Sequence, residues 1–90
     1  MATRHKSAVK RHRQSIKRTV RNTAIRTRVR HILRETREVV GTKDLGAAET
    51  QLRNAVKVLT KAVSKGVLHR NSASRRISRL SKQVAALRSS

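Results

Sequence analysis

The residues of this chain whose types and spacing can do chemistry are concentrated in one stretch, Lys65-Gly66-Val67-Leu68-His69-Arg70-Asn71-Ser72-Ala73-Ser74-Arg75-Arg76. The chemistry they suit is the holding of an anion. An apolar row at helical spacing runs up to Val63. Gly66 then supplies the residue that tolerates positive φ where a helix stops, with Val67 or Leu68 able to close back on the last turn. Asn71 or Ser72 offers a side-chain oxygen to cap a following helix, whose free N–H groups and positive dipole end face outward. His69, Arg70, Arg75 and Arg76 crowd around that helix start, an arrangement that fits a phosphate backbone held by cations and N–H groups together. A polar helix-helix turn with an ordinary stop and cap accounts for the same residues locally, and only the rest of the chain separates the two readings.

Other chemistry is poorly supplied. No glycine-rich phosphate loop and no hydrolase elbow is present, and the four acids, Glu35, Glu38, Asp44 and Glu49, fall in one short window away from the turn. His5, His12, His31 and His69 lack the spacing of a metal-ligand set and read as solvated or phosphate-facing. There is no Cys, so neither a disulfide framework nor a thiolate metal site is possible. The expectation is a protein that is not an enzyme, with no cofactor, metal or small-molecule substrate.

The elements that must position the turn come from a chain with little apolar material. Its 90 residues contain no Phe, Trp or Tyr and carry a formal net charge of +20, so a core of Val, Leu, Ile and Ala works against strong self-repulsion. A weakly stable free protein, strengthened by a polyanionic partner, is expected. The charge is uneven: residues 1 to 34 hold twelve Lys or Arg and no acid. Membrane-active helices pair a basic face with Trp, Phe and Leu, whereas residues 4 to 18 offer only Ala8, Val9 and Ile16. No apolar run approaches a membrane span or a signal-peptide core. The acid-free start has the composition of a mitochondrial transit peptide, but the basic pattern continues without a break into a segment with core periodicity. Nucleic acid is the better partner. Without aromatics for base stacking, binding rests on phosphate contacts and the shape of folded or duplex nucleic acid. The sixteen Arg against eight Lys suit forked bonds to phosphate.

Taken in order, residues 1 to 5 read as a mobile tail, and nothing from about Lys6 to Val40 breaks a helix. Ile25, Val29, Ile32, Leu33, Val39 and Val40 fall on one helical face, a seam expected to begin near Ile16 or Val20. Gly41 ends this helix and Thr42 or Asp44 caps the second, expected over about 43–65, in which Leu45, Ala48, Leu52, Ala55, Val56, Leu59 and Val63 repeat at helical spacing. The third, about 71–88, presents Ala73, Ile77, Leu80, Val84 and Leu87, a narrow seam suited to the groove between two helices. Two short connections make neighbours antiparallel, so the expected fold is all-α, an up-down-up three-helix bundle forming a single domain. Its long first helix overshoots the second by about 20 Å at 1.5 Å per residue, and its basic N-terminal half projects beyond the bundle. The end of helix two comes level with about Thr19 to Asn22, so overhang and turn form one basic surface. This juxtaposition favours the phosphate reading of the turn.

Lys6-Ser7-Ala8, Lys10-Arg11, Arg13-Gln14, Lys17-Arg18 and Arg21-Asn22, with Lys65-Gly66-Val67-Leu68-His69, Asn71, Ala73, Arg75 and Ser78-Arg79-Leu80, resemble the family of protein twenty of the bacterial small ribosomal subunit. The Lys-Gly-Val-Leu-His-x-Asn segment is the specific part. The sequence departs from the family at Thr60, Ser72 and Ser74 and in its first residues. The resemblance implies a structural protein of the cytoplasmic ribosome that binds 16S ribosomal RNA and helps the small subunit assemble, with other small-subunit components open as neighbours. By position it carries over Lys6, Ser7, Lys10, Arg11, Arg13, Gln14, Lys17, Arg18, Arg21 and Asn22 as RNA-facing, and likewise Lys65, His69, Arg70, Asn71, Arg75 and Arg79. Gly66, Arg76 and Arg28 complete the expected RNA-binding set. The competing class is a DNA-compacting architectural protein, which the same charge would serve, although the basic segment offers no evident apolar wedge or β-arm.

Overall fold

With no Pro anywhere and no Gly before Gly41, the N-terminal half forms one unbroken helix. In the computed structural model, which describes the backbone of residues 2–89 and the side chains of residues 7–89, α1 spans Ala2–Gly41, α2 spans Leu45–Ser64 and α3 spans Arg70–Ser89. Helix α1 therefore begins at Ala2, where a tail had been expected, because Thr3-Arg4-His5 contain nothing that interrupts the backbone ladder. Met1 and Ser90 lie outside the described residues.

The first connection is set by side-chain and backbone chemistry together. The Thr42 and Lys43 amides donate to the Val39 and Val40 carbonyls, both at 3.1 Å, and the Thr42 hydroxyl donates to the Val39 carbonyl at 2.6 Å. Lys43, not Gly41, takes the left-handed conformation, with φ 61. Asp44 then caps α2, its Oδ1 accepting from the Ala47 amide at 3.2 Å, which satisfies one of the free donors of the first turn.

Helix α2 runs back along α1 and α3 runs back along α2. Arg88 near the end of α3 pairs with Glu49 near the start of α2, with Nε at 2.9 Å from Oε1, which fixes the antiparallel sense. The core lies between the helices. Val29 and Leu33 from α1, Ala48, Ala55, Leu59 and Ala62 from α2, and Ala73, Leu80 and Val84 from α3 are buried. Four of these nine are alanine, so the helices can pack closely while little apolar area leaves water. Thr36 is fully buried and satisfied, its hydroxyl donating to the Ile32 carbonyl at 2.6 Å. Helix α2 is the central element: α1 and α3 each pack mainly on it and touch each other least. The α3 seam therefore lies chiefly against α2 and not in a symmetric groove.

The seam of α1 starts at Ile25 and not at Ile16 or Val20. Each of those two sits nine residues before a core position, Ile25 and Val29 respectively, and nine residues at about 100° each is half a turn. They are on the opposite side of the helix and are exposed. Helix α1 has 40 residues and α2 has 20, an excess of about 30 Å at 1.5 Å per residue and more than the sequence suggested. The molecule measures 69 × 21 × 13 Å with a radius of gyration of 18.4 Å, against about 12 Å for a compact chain of this length. The difference is the projecting half of α1.

Candidate nucleic-acid interface

The turn after α2 is closed by its own backbone. Lys65 ends the helix in right-handed geometry, Gly66 follows at φ 74, and the Gly66 amide donates to the Val63 carbonyl at 2.9 Å while the Val67 amide donates to the Ala62 carbonyl at 3.0 Å. These two bonds form a Schellman motif, which places an apolar residue, here Val67, back over the last turn. Gly66 thus acts through its conformation. An added Cβ would meet open space there, but the backbone angle is one that side chains resist.

Helix α3 is not capped by Asn71 or Ser72. It starts at Arg70, and His69 occupies the cap position: its Nδ1 accepts from the Asn71 amide at 3.1 Å and its carbonyl accepts from the Ala73 amide at 3.1 Å. Asn71 and Ser72 lie inside the helix, and the Ser72 hydroxyl faces Arg76, whose Nε is 3.5 Å away. The ring nitrogen does what an oxygen does in a usual cap. Accepting that bond requires an unprotonated Nδ1, so the proton of the neutral ring sits on Nε2. His69 therefore presents an N–H donor beside the exposed Arg70 and Asn71.

The expected residues of α1 form a definite pattern around the overhang. Arg18 and Arg11 lie seven and fourteen residues before Ile25, and Ser7, Gln14 and Arg21 form a second row at the same spacing. These rows continue the core-facing side of α1 past the end of α2, and Asn22, seven residues before Val29, joins them half-buried. Lys10, Lys17 and Arg13, in that order, turn progressively away from that side, and all three are exposed. The side chain of Lys6 falls outside the described residues. From Lys10 to Arg21 six cations occupy about 17 Å of axis, near one per 3 Å, close to the ~3.4 Å spacing of phosphates along a B-form strand.

The turn and the overhang meet as the lengths required. Arg21, Ile25 and Arg28 of α1 share a surface depression with Val58, Lys61 and Lys65 of α2. On the other flank, Arg37 of α1 faces Ser72, Arg75, Arg76 and Arg79 of α3 across a groove floored by Leu33 and Leu80. Arg26 and Arg30 line the adjoining hollow with Val67, Leu68 and Arg76. Sequence reasoning missed Arg26, Arg30, Arg37 and Lys61. Arg26, Arg30 and Arg37 sit at i, i+4 and i+11, one flank of the seam, and that spacing was available to find them.

Among the described residues no cation of the overhang or turn is in an ion pair; the Arg88–Glu49 bridge is at the far end. With all four acids between Glu35 and Glu49, the positive field of the overhang is not cancelled locally. No three His, Asp or Glu side chains gather into a metal-binding group among the described residues. No helix is long and apolar enough to cross a membrane among those residues.

Comparison with known proteins gives matches over nearly the whole chain. Residues 3–85 match the family described as Ribosomal protein S20. The small ribosomal subunit protein bS20 of Maridesulfovibrio salexigens is 54% identical over 80 residues, 89% of this chain and 92% of that protein. The protein of the same description from Oleidesulfovibrio alaskensis is 51% identical over the same shares, and that of Helicobacter pylori strain Shi470 is 50% identical over 89% of this chain and 90% of its own. A three-helix chain with a projecting cationic helix and a match of this extent belongs to the ribosomal protein S20 family.

Proposed function

We propose that this chain is a structural protein of the small ribosomal subunit that binds 16S ribosomal RNA directly and stabilises its folded state during assembly. Membership of the family supports a structural role in the ribosome without catalysis. The observation that most favours direct RNA binding is the continuity of cations from Arg11 and Arg18 on the overhang to Lys65 and Arg70 at the turn, none of them in an ion pair among the described residues. On this reading the overhang reaches between RNA segments and neutralises phosphates that otherwise repel one another. The turn supplies the His69 Nε2–H and the Arg70 guanidinium to an adjoining backbone. The residues assigned are those named above from Ser7 to Asn22, with Lys6, Arg28, Lys65, Gly66, His69, Arg70, Asn71, Arg75, Arg76 and Arg79. The Gly66 contribution is conformational.

The test is binding of the purified protein to 16S ribosomal RNA and to an unrelated RNA of equal length, titrated across salt. A saturable complex with 16S RNA should persist at salt where the unrelated RNA is released. Equal affinities that fall together with a slope of many released ions would reduce the chain to a polycation.

A further inference from the structure

Among the described residues three large apolar side chains are exposed, Val9, Ile16 and Val20, at 49%, 50% and 64% of full accessibility. All three are on the overhang. At about 100° per residue they share one line along α1, half a turn from the line of Ile25 and Val29. The bundle lies on the other side of the helix, so neither α2 nor α3 covers them. The stripe is about 16 Å long. Arg13 and Lys17 border it on one side, His12 and Thr19 on the other.

We propose that this stripe is a docking face for double-stranded RNA, packing on ribose edges in the shallow minor groove of an A-form segment while Arg13 and Lys17 reach the phosphates at its rim. The proposal rests on the RNA-binding reading above and gives the overhang a second RNA-contacting face, opposite Arg11 and Arg18. Charge complementarity selects the occupant. A second copy of the chain laid stripe to stripe would bring together two molecules of net charge +20, with their most basic segments in contact. The A-form minor groove combines what the stripe and its borders need: a broad, accessible surface of sugar C–H groups and 2′-hydroxyls, with phosphates along both edges. Aliphatic side chains can pack on such a surface without opening base steps. The Thr19 hydroxyl donates to the Ser15 carbonyl at 2.9 Å, which leaves its lone pairs to accept from a 2′-hydroxyl.

The experiment compares the full-length parent, the Ile16→Gln/Val20→Gln variant and the Ile16→Leu/Val20→Leu variant in binding to 16S ribosomal RNA and to the unrelated RNA across salt. The glutamine pair leaves net charge unchanged and keeps good helix formers outside the bundle. Its affinity for 16S RNA should fall about tenfold, from loss of two half-exposed aliphatic side chains that binding would bury. The salt slope should stay at the parent value and the leucine pair should restore affinity. Hydroxyl-radical cleavage should show protected riboses on both strands of a duplex segment with the parent, exposed again with the glutamine pair. Equal affinity of parent and glutamine variant would overturn the stripe and point instead to a protein neighbour, while leaving RNA binding intact if the parent still prefers 16S RNA. A reduced salt slope would show that phosphate contacts had been lost and would overturn apolar packing. A parent that fails to distinguish the two RNAs refutes the underlying reading.

Discussion

Replacing Leu59 by alanine should remove more than half of the stability of the free bundle, a loss that bound RNA can make good. Leu59 is fully buried in α2, in one cluster with Val29 and Leu33 of α1 and Ala73 and Leu80 of α3. Truncating a buried leucine costs about 3 kcal/mol, more when the void cannot collapse. Here Ala55, Ala62 and Ala73 have no side-chain reach to fill it. A chain of this length has about 5 to 13 kcal/mol of stability, and a net charge of +20 with an alanine-rich core places this one near the lower figure. The variant should therefore retain less than half of its stability, and its urea midpoint, followed by far-UV circular dichroism, should drop by about half. Ligand at a thousandfold excess over its Kd adds about 4 kcal/mol to the folded state. Saturating 16S ribosomal RNA should thus return the variant to near-parental resistance in limited proteolysis. Coincident urea midpoints would show that the assigned core is wrong. Loss of protection despite bound RNA would show that the bundle is not the form that binds.

Arg11→Glu combined with Arg18→Glu should act conversely, lowering affinity for 16S RNA at least about a hundredfold at low salt and reducing the salt slope by about two, with the urea midpoint of the bundle unchanged; equal slopes would refute the overhang assignment. Lys43→Gly should raise stability by about 0.5–1 kcal/mol in the same urea assay, because glycine takes the φ 61 conformation without steric cost. His69→Ala should cost about 1 kcal/mol through loss of the cap. His69→Asn should nearly preserve stability but weaken RNA binding, since asparagine caps the helix without placing the imidazole Nε2–H; equal melting of parent and alanine variant would remove the cap.

The order and pairing of the helices were legible because each connection announces itself chemically. Asp44 before Leu45 and Gly66 after Lys65 are stop and cap residues acting as such. Most of the seam of α2 was legible; the expected row omitted Val58, which packs half-buried against the core, and Ala62, whose small side chain adds little to an apolar pattern and is buried all the same. The reading of α1 failed where type was weighed without phase. Ile16 and Val20 are as apolar as Ile25 and Val29, yet nine residues away they belong to the opposite face. Gly41 ends α1 as its type suggests, but the left-handed residue of the first turn is Lys43, a side chain that gives no such signal. At the second turn, oxygen side chains were favoured as caps, although a histidine nitrogen in the right position makes the same bond. The α3-side arginines Arg26, Arg30 and Arg37 were obscured by the abundance of arginine, which makes every helical spacing look occupied until a partner helix selects one.

The separation of the acids from the overhang along a 69 Å molecule has a kinetic meaning. A polyanion exerts a torque on such a body, turning the overhang forward and the Glu35–Glu49 end to the rear before any contact forms. If the chain binds RNA as proposed, the helix then arrives tip first, in a narrow range of orientations, and first touches RNA about 30 Å ahead of the bundle. The usual orientational penalty on association is reduced by the shape of the field. Capture by the rod and seating of the turn become successive events, of which the first quickens as ionic strength is lowered.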